Sequence, residues 1–277
     1  MKRLIRGALP FLARTFASAT GLRRAGRWSA EVGRAAGDVH ATVRDDREYR
    51  FSSSSPLLLW RARTLLDKEP ETIAWIRGFA ASDVFFDVGA NVGAYSIYAA
   101  RRGSMVTAFE PEASNFAVLN RNIRLNGLDG VVTAYPIAIS DSVRLDALRL
   151  HAAEPGAALH VFGSNVDFKA ETFAPAAIQG AISMPLDDLV YRFGLPCPTK
   201  LKIDVDGLEP QVLRGAQRLL ADNRLNGILL EINESLPAEA AMAQTLLDAG
   251  FRVAAKGEPV RHPGGKAVMV NYVFARG

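Results

Sequence analysis

Cysteine and long apolar runs are the two features that this sequence most lacks. Cys197 is the single cysteine among 277 residues, so no internal disulfide can form, and neither a C-x-x-C pair nor a zinc-ligand spacing occurs. One isolated thiol fits a reducing compartment, so we expect a cytoplasmic protein. No segment reaches the about 18 uninterrupted apolar residues of a membrane span, and the sequence therefore predicts no membrane-spanning helix.

The first thirty residues lack acidic side chains, although the whole chain carries a net charge of only +4. Basic residues are mixed there with apolar ones. This composition fits either a basic leader without a partner or an amphipathic helix on an anionic membrane surface. Peripheral membrane contact through residues 1–30 is therefore one of two open interpretations. No aromatic interleaving or recognition motif accompanies the basic residues, so we expect no nucleic-acid partner.

Two parts of the chain differ in their pattern. Residues 1–55 predict a basic appendage that ends in a serine-rich loop, and residues 56–277 predict one α/β domain. From Val84 onward strands and helices alternate, which is typical of a doubly wound parallel sheet. The predicted strands are Val84–Val88, Met105–Phe109, Val131–Ala138, Lys200–Val205, Gly227–Ile232, Phe251–Ala255 and Ala267–Ala275.

The connections between these strands predict how they pair. Helices are predicted at Leu57–Leu66, Glu71–Phe79, Ala94–Arg101, Ala113–Leu125, Pro210–Leu220 and Pro237–Ala249. The last strand follows a Gly-Gly turn that leaves no room for a crossover helix, so it should pair antiparallel. Between residues 141 and 185 the alternation stops. There a hairpin of Val143–Leu150 against Ala181–Met184 is predicted to carry a loop over the active site.

A glycine-rich turn follows the first of these strands. It reads D-V-G-A-N-V-G from Asp87 to Gly93, where Gly89 and Gly93 permit a tight turn and the close approach of a ligand. A strand, a glycine turn and a helix N-terminus together indicate a nucleotide-type site. The dinucleotide fingerprint G-x-G-x-x-G has a glycine where Asp87 stands. An acid at this position would repel a pyrophosphate and attract an ammonium, and S-adenosylmethionine carries an ammonium and no phosphate.

The second strand carries a further acid at its end. Glu110 comes 17 residues after Gly93, close to the roughly 20-residue offset at which an acid meets ribose hydroxyls in βαβ sites. Glutamate is long enough to accept hydrogen bonds from both hydroxyls. Pro111 then ends the strand, because it lacks an N–H. The residues therefore favour a site for S-adenosylmethionine over a site for NAD.

Several segments share their order and spacing with one known family. These segments are Phe86–Gly93, Glu110-Pro111, Asn126–Leu128, Ala138–Asp141 and Lys202–Pro210. With them the chain resembles the FkbM family of S-adenosylmethionine-dependent methyltransferases over about residues 68–275. The resemblance implies a seven-stranded Rossmann-like sheet with the last strand antiparallel. It also implies methyl transfer to a sugar, a glycolipid, a polyketide or another secondary metabolite.

The candidate residues for binding the donor come from three segments. They are Asp87, Gly89, Asn91, Gly93, Glu110, Pro111, Ala138 and Asp141. Asp87 would meet the amino group of the donor directly or through water, and Glu110 would bind the ribose hydroxyls. The adenine is expected near Ala138, where Ser140 or Asp141 could meet its exocyclic amine.

Acidic residues crowd the end of the fourth strand, where ligands bind in such sheets. Asp204 and Asp206 share one face of the strand, and Asp204 would face the sulfonium end of the donor. A carboxylate cluster can raise the pKa of one member towards the range of a general base, whereas Lys202 on the same face would hold the cluster ionised. His160 and Glu231 are further candidates on the acceptor side. A divalent metal on the two aspartates is an alternative to a metal-free site.

Together these features favour a methyltransferase that acts on a hydroxyl oxygen of a small-molecule or glycan acceptor. Two other classes stay open at this point. An NAD-dependent oxidoreductase would have to bind a pyrophosphate beside Asp87, which disfavours it. A non-catalytic binding protein on the same scaffold would be expected to lack a donor residue, whereas Asp87, Gly89, Gly93 and Glu110 are all present.

Overall fold

A computed structural model describes residues 39–166, 171–261 and 268–276 of the chain. Residues 1–30, for which the sequence predicts a basic leader or a membrane-surface helix, lie outside the described residues. Within the part that is described, no helix is both long enough and apolar enough to cross a bilayer.

An antiparallel hairpin precedes the main domain. Its strands are β1 (His40–Arg44) and β2 (Glu48–Ser52), and β2 alternates polar residues with Tyr49 and Phe51, which are buried in the domain core. A backbone N–H of β2 also donates to the side chain of Asn122 at 2.7 Å. The predicted boundary at residue 55 assigns this hairpin to the appendage, whereas the structure packs it on the domain through its two aromatic side chains.

Two short helices lead from the hairpin to the sheet. They are α1 (Pro56–Arg63) and α2 (Pro70–Arg77), and each has a proline in its first turn, where the missing N–H has no intrahelical partner to lose. The hydroxyl of Ser55 caps α1 by accepting from the Leu58 N–H at 3.2 Å. Both helices end two or three residues before their predicted ends.

Strands and helices then alternate as the sequence predicts. The strands are β3 (Val84–Val88), β4 (Met105–Phe109), β5 (Val132–Tyr135), β6 (Ala138–Ile139), β7 (Arg144–Leu150), β8 (Val161–Phe162), β9 (Ala177–Met184), β10 (Lys200–Ile203), β11 (Gly227–Asn233), β12 (Phe251–Lys256), β13 (Val260–Arg261) and β14 (Val268–Arg276). The helices are α3 (Ala94–Arg101), α4 (Ala113–Leu125), α5 (Leu186–Tyr191), α6 (Glu209–Arg214), α7 (Gln217–Ala221) and α8 (Pro237–Asp248).

Seven strands form the central sheet in the order β12-β14-β11-β10-β3-β4-β5. β14 runs antiparallel to β12 and β11, the short strand β13 also pairs antiparallel with it as an eighth strand, and the other pairs are parallel. The connection from β12 to β14 is too short for a crossover helix, which forces the chain to return antiparallel. This arrangement confirms the predicted doubly wound sheet with an antiparallel last strand.

The central strands are buried on both faces, which explains their nearly continuous apolar sequences. Phe86 and Val88 of β3 point into one core, which also contains Leu230 of β11. Phe85 points to the opposite face and packs in a second core with Ile97 of α3. Helices therefore cover both sides of the sheet and leave the ends of the strands open for a site.

The insertion after β5 forms a small sheet of its own, in the order β6-β9-β7-β8. β7 and β9 pair antiparallel from Arg144 opposite Ser183 to Leu150 opposite Ala177, which confirms the predicted hairpin. The predicted strand Val131–Ala138 is wrong in its second half, because β5 ends at Tyr135 and β6 joins the insertion instead. Proline follows Tyr135 and cannot continue the ladder of hydrogen bonds.

The predicted helix Pro210–Leu220 is two helices, α6 and α7. They are separated at Gly215, where a Cβ would lie 2.1 Å from the carbonyl oxygen of Ser140. The chain therefore passes close to the backbone of the insertion at this point, and only glycine fits. The sequence pattern gave no indication of this contact or of the short helix α5.

Candidate active site

Distant segments of the chain meet at one edge of the sheet. β3, β4 and β10 are adjacent parallel strands, so the turns that follow them lie side by side. These turns bring Gly89, Glu110 and Asp204 to the lining of a single cleft. The structure thus brings together residues that are more than a hundred positions apart in the sequence.

The turn after β3 is shaped by two glycines with left-handed backbone angles, φ +83° at Gly89 and φ +79° at Gly93. A Cβ on Gly89 would lie 1.8 Å from the carbonyl oxygen of Asp204, and one on Gly93 would lie 2.3 Å from Cδ1 of Leu119. Both positions therefore require glycine for conformation and for packing within the protein. Gly89 also lines the cleft, whereas Gly93 lies at the start of α3.

Asn91 connects this turn to two other parts of the site. Its backbone lies in the left-handed region at φ 51°, which asparagine adopts more readily than most residues. Its N–H donates to Oε2 of Glu110 at 2.8 Å, and its Nδ2 donates to the carbonyl of Ala157 at 2.7 Å. Asn91 therefore holds the turn after β3, the end of β4 and the insertion in one arrangement.

Glu110 is held by backbone N–H groups and has no ammonium or guanidinium partner among the described residues. Its Oε2 accepts from Asn91 and its Oε1 from Glu112, each at 2.8 Å. Burial raises the pKa of Glu110 to about 7, although these backbone hydrogen bonds act in the opposite direction. The side chain of Asn115 also hydrogen-bonds to this carboxylate, and because a carboxylate has about four acceptor positions, Glu110 can still accept a hydrogen bond from a ligand.

Asp87 lies behind the turn and does not line the cleft. Its side chain is buried and Oδ2 accepts from the Ser96 hydroxyl at 2.5 Å, whereas Oδ1 has no hydrogen-bond partner in the described ranges. Burial raises the pKa of Asp87, and the ammonium of Lys202 opposes the shift. The structure does not place Asp87 directly against a ligand, and the contact through water that the sequence also predicts stays a prediction.

The cleft itself has about 550 Å³ of empty space, part of which is open to solvent. Its charged lining consists of Glu110, Asp204 and Asp206, and the described lining residues include no lysine or arginine. We call it the acidic cleft. Its apolar lining includes Phe109, Ile137, Ala138, Ile139, Leu148, Phe162 and Leu208. These walls favour a ligand that has an apolar ring system and a positive charge, and they disfavour a pyrophosphate.

Of the three remaining candidate donor residues, two line the acidic cleft and one does not. Pro111 and Ala138 belong to its walls. Asp141 lies outside, where its Oδ2 accepts from Nε and Nη2 of Arg214 at 3.1 and 2.9 Å. This ion pair at the surface explains why an acid stands at that position, and the geometry does not support the predicted contact with the adenine amine.

A loop of the insertion lies over the acidic cleft, as predicted. The N–H of Leu159 donates to Oδ2 of Asp206 at 2.7 Å, which fixes the loop to the turn after β10. His160 follows and lines the cleft, and neither of its ring nitrogens has a hydrogen-bond partner among the residues that the structure describes. Burial lowers the pKa of His160, so the imidazole is neutral near pH 7 and can accept a proton or a hydrogen bond.

The two aspartates after β10 differ in their electrostatic surroundings. Nζ of Lys202 lies 2.6 Å from Oδ2 of Asp204. Although burial opposes ionisation, this ammonium keeps the pKa of Asp204 below its ordinary value. Burial and the negative charge of Asp204 raise the pKa of Asp206. One member of the pair is therefore firmly ionised, and the other is the more basic carboxylate.

Two further glutamates near the aspartates, Glu209 and Glu231, differ in their surroundings. Glu209 accepts from the N–H groups of Val205 and Gly207 at 2.9 Å each, so it stabilises the turn and the start of α6. Burial raises the pKa of Glu231 well above its usual range, and the nearby carboxylates add to the shift. Among the described residues, no three His, Cys, Asp or Glu side chains come together as metal ligands.

A second cleft opens on the other side of the same turn, and sequence reasoning missed it. Gly89, Asn91 and Asp204 line both clefts. The other charged residues that line the second cleft are Arg61, Lys68, Glu69 and Lys202. We call it the mixed-charge cleft. Arg61 and Lys68 reach it from α1 and from the loop after α1, so packing of this helix on the domain creates the cleft and no motif marks it.

A seven-stranded sheet of this order, with a glycine turn after β3 and an acid after β4, defines the class of Rossmann-like methyltransferases. The sequence model of the methyltransferase FkbM domain matches residues 87–253. The chain belongs to this family, and it is therefore a methyltransferase by descent. The match spans the glycine turn after β3, the insertion and the acidic turn after β10.

Individual relatives are distant. The chain is 29% identical over 199 residues to the 31-O-demethyl-FK506 methyltransferase FkbM of Streptomyces tacrolimicus, which covers 64% of this chain and 76% of the relative. It is 27% identical over 184 residues to the hexuronic acid methyltransferase AglP of Haloferax volcanii, which covers 66% and 70%. The crystal structure of methyltransferase FkbM from Methylobacillus flagellatus aligns with a TM-score of 0.45 and 16% identity, covering 70% of this chain and 44% of that one.

Proposed function

We propose that the protein transfers the methyl group of S-adenosylmethionine to a hydroxyl oxygen of a small-molecule or glycan acceptor. The observation that carries this proposal is the acidic cleft, with Glu110 on one strand end, Asp204 and Asp206 on another, and apolar walls between them. S-adenosylmethionine combines an apolar ring system, ribose hydroxyls and positive charge. NAD would instead place a pyrophosphate among three carboxylates, which electrostatics disfavours.

On the donor side, each residue of the proposed site has a task that follows from its position. Glu110 binds the ribose hydroxyls, because it lines the acidic cleft and its carboxylate retains acceptor capacity for a ligand. Pro111 and Ala138 line the adenine part, and Asn91 holds the turn. Asp87 contacts the amino group of the donor through water, since it is buried behind that turn.

On the acceptor side, the protein has to hold a hydroxyl in line and take up its proton. S-adenosylmethionine supplies a methyl group that its sulfonium already activates. Asp204 lies where the two clefts meet, and it faces the positive end of the donor as a permanently ionised group. Asp206, whose pKa is raised, takes the proton of the acceptor hydroxyl, and His160 is the alternative proton acceptor in the same wall.

The nature of the acceptor is supported by the relatives. One relative is named as a 31-O-demethyl-FK506 methyltransferase and another as a hexuronic acid methyltransferase, which favours an oxygen on a small molecule or a sugar derivative. We place the activity in the domain of residues 56–277 and in the cytoplasm. Residues 1–30 are the segment through which peripheral membrane contact would occur.

Calorimetry of the purified protein tests the donor assignment. We expect S-adenosylmethionine and its demethylated product to bind with micromolar affinity and NAD to bind far more weakly. Glu110→Ala should weaken donor binding by about 1–3 kcal/mol, the range for a hydrogen bond to a charged group. Equal affinity in the variant would remove Glu110 from the ribose site.

Two other outcomes would point to other classes of protein. Tight binding of NAD with no binding of S-adenosylmethionine would favour an oxidoreductase. Donor binding without methyl incorporation, in a screen of hydroxylated metabolites with labelled donor, would favour a non-catalytic binding protein on this scaffold.

A further inference from the structure

The mixed-charge cleft contains both signs of charge in a small space. Arg61, Lys68 and Lys202 line it together with Glu69 and Asp204. A simple anion would be repelled by the two carboxylates, and a simple cation by the three basic groups. A zwitterion, with an ammonium and a carboxylate on one carbon, matches both signs.

Two of the basic groups already have partners. Lys202 is 1% exposed and lies 2.6 Å from Asp204, so it is not available to a ligand. Nζ of Lys68 lies 2.6 Å from Oε1 of Glu69, but 46% of the Lys68 side chain is exposed. The Glu69 side chain is only 10% exposed, so Lys68 keeps this partner and can donate the other N–H groups of its ammonium to a ligand.

Arg61 is the basic group that has unused donors. Its Nε donates to the carbonyl of Gly156, and this is the only hydrogen bond of its guanidinium within the described residues. Arg61 is partly buried, and it lines the mixed-charge cleft. A carboxylate is the natural partner of its terminal nitrogens, because the two carboxylate oxygens match the planar fork of a guanidinium.

We propose that the mixed-charge cleft binds the amino acid end of the methyl donor, with Arg61 and Lys68 on its carboxylate. This inference rests on the proposed function. Gly89, Asn91 and Asp204 line both clefts, so a ligand whose ring system occupies the acidic cleft continues past them into the mixed-charge cleft.

The same placement accounts for the ammonium of the donor. Glu69 and Asp204 line the mixed-charge cleft, whereas Asp87 lines neither cleft. The charge of the ammonium is then balanced mainly by two carboxylates, that of Glu69 before α2 and that of Asp204 after β10. A carboxylate on the acceptor would also suit Arg61, but the order of the two clefts, first apolar and acidic and then of mixed sign, follows the structure of the donor.

A matched pair of ligands isolates the carboxylate. S-adenosylmethionine and decarboxylated S-adenosylmethionine differ only in this group, and both are titrated calorimetrically into the full-length protein. We expect wild type to bind the decarboxylated form about 10- to 100-fold more weakly, the scale of a hydrogen bond to a charged group. Arg61→Gln should weaken S-adenosylmethionine by a similar factor and leave the decarboxylated form within about threefold.

Two further variants show whether the effect is local. Lys68→Gln should produce the same selective loss at a smaller size, about threefold to tenfold, because its side chain is half exposed. Arg63→Gln is the matched control, since Arg63 lies on the same helix, is exposed and lines neither cleft. It removes the same charge as Arg61→Gln and should leave both affinities unchanged.

The possible outcomes separate this inference from the proposed function. If wild type binds neither ligand, the proposed function fails. If wild type binds both with equal affinity, or if Arg61→Gln and Lys68→Gln weaken both equally, the donor is bound and the carboxylate assignment is overturned. Unchanged donor affinity with weaker binding of carboxylate-bearing acceptors would also overturn it and assign the cleft to the acceptor.

Discussion

Two neighbouring turns of this site hold their acids in opposite ways. After β4, Glu110 accepts hydrogen bonds from two backbone N–H groups and from the uncharged side chain of Asn115, and burial raises its pKa to about 7. After β10, Asp204 lies 2.6 Å from the ammonium of Lys202, and its pKa is lowered despite burial. The partner therefore decides the charge state of these two carboxylates, since burial would raise the pKa of both.

This difference suggests different tasks for the two turns. A buried carboxylate with dipolar partners gains or loses its proton near neutral pH, so binding at Glu110 depends on pH. A carboxylate beside an ammonium stays ionised, so Asp204 provides a constant charge. Within the described part of the chain, the neighbouring Asp206 has no such cation in hydrogen-bond contact, and its raised pKa makes it the more basic of the two aspartates.

The largest effect is expected at Asp206, because it would act on the reacting proton. Asp206→Asn should lower turnover by about 10²–10⁴, the usual contribution of a positioned acid–base group, and leave donor affinity within a few-fold. Labelled donor and an acceptor found by screening give the measurement. Full turnover in this variant would transfer the role to His160 or Glu231.

The second prediction removes the anion from the turn after β10. Asp204→Asn leaves the buried ammonium of Lys202 without its carboxylate, and loss of one partner of a buried pair costs about 3–5 kcal/mol. We expect a decrease of about this size in the free energy of unfolding measured with urea.

A compensating variant shows whether the unpaired cation causes the loss. Combining Asp204→Asn with Lys202→Met removes both charges and keeps apolar volume, so it should recover most of the lost stability. If the single variant is as stable as wild type, the ion pair does not explain the contrast between the two turns.

Sequence alone predicted the central fold well, for a physical reason. β3, β4, α3 and α4 have the predicted bounds, because apolar strands, a glycine turn and helical periodicity agree locally. The hairpin β1–β2 was missed, although the alternation of Tyr49 and Phe51 with polar residues is a strand signal. The break between α6 and α7 depends on a contact with the insertion, which no local pattern reveals.

The site was predictable only where it follows the strand ends. Glu110 and Asp204 lie in the cleft because strand ends converge in any sheet of this class. The Lys202–Asp204 distance and the burial of Asp87 depend on packing around the turn. Arg61 lies far from every motif, and its position in the second cleft follows from the way α1 packs on the domain.

The third prediction concerns the pH dependence at Glu110. In the proposed site, ribose hydroxyls would donate to the ionised form of Glu110, whose pKa is about 7. Binding should therefore favour deprotonation, so affinity for S-adenosylmethionine should rise with pH up to about 7 and then level off. Between pH 6 and pH 8 we expect a gain of roughly tenfold, since one pH unit below the pKa leaves about a tenth of the group ionised.

The control for this pH effect is Glu110→Gln. The amide has the same shape but does not titrate, so the variant should bind the donor more weakly and lose most of the pH dependence. An equal rise of affinity with pH in the variant would assign the titration to another group, such as Asp206, and would break the contrast between the two turns.

The smallest effect is expected at an exposed counterpart of the Lys202–Asp204 pair. Asp141 accepts two hydrogen bonds from Arg214, but the side chains of this pair are 34% and 57% exposed. Because exposed ion pairs contribute only about 0–1 kcal/mol, Asp141→Asn should lower the free energy of unfolding by less than about 1 kcal/mol. Donor affinity should stay the same, since Asp141 lies outside the acidic cleft.

A loss of stability as large as that of Asp204→Asn would remove burial as the reason for the difference between the two pairs. A selective loss of donor affinity would return Asp141 to the adenine site that the sequence predicts.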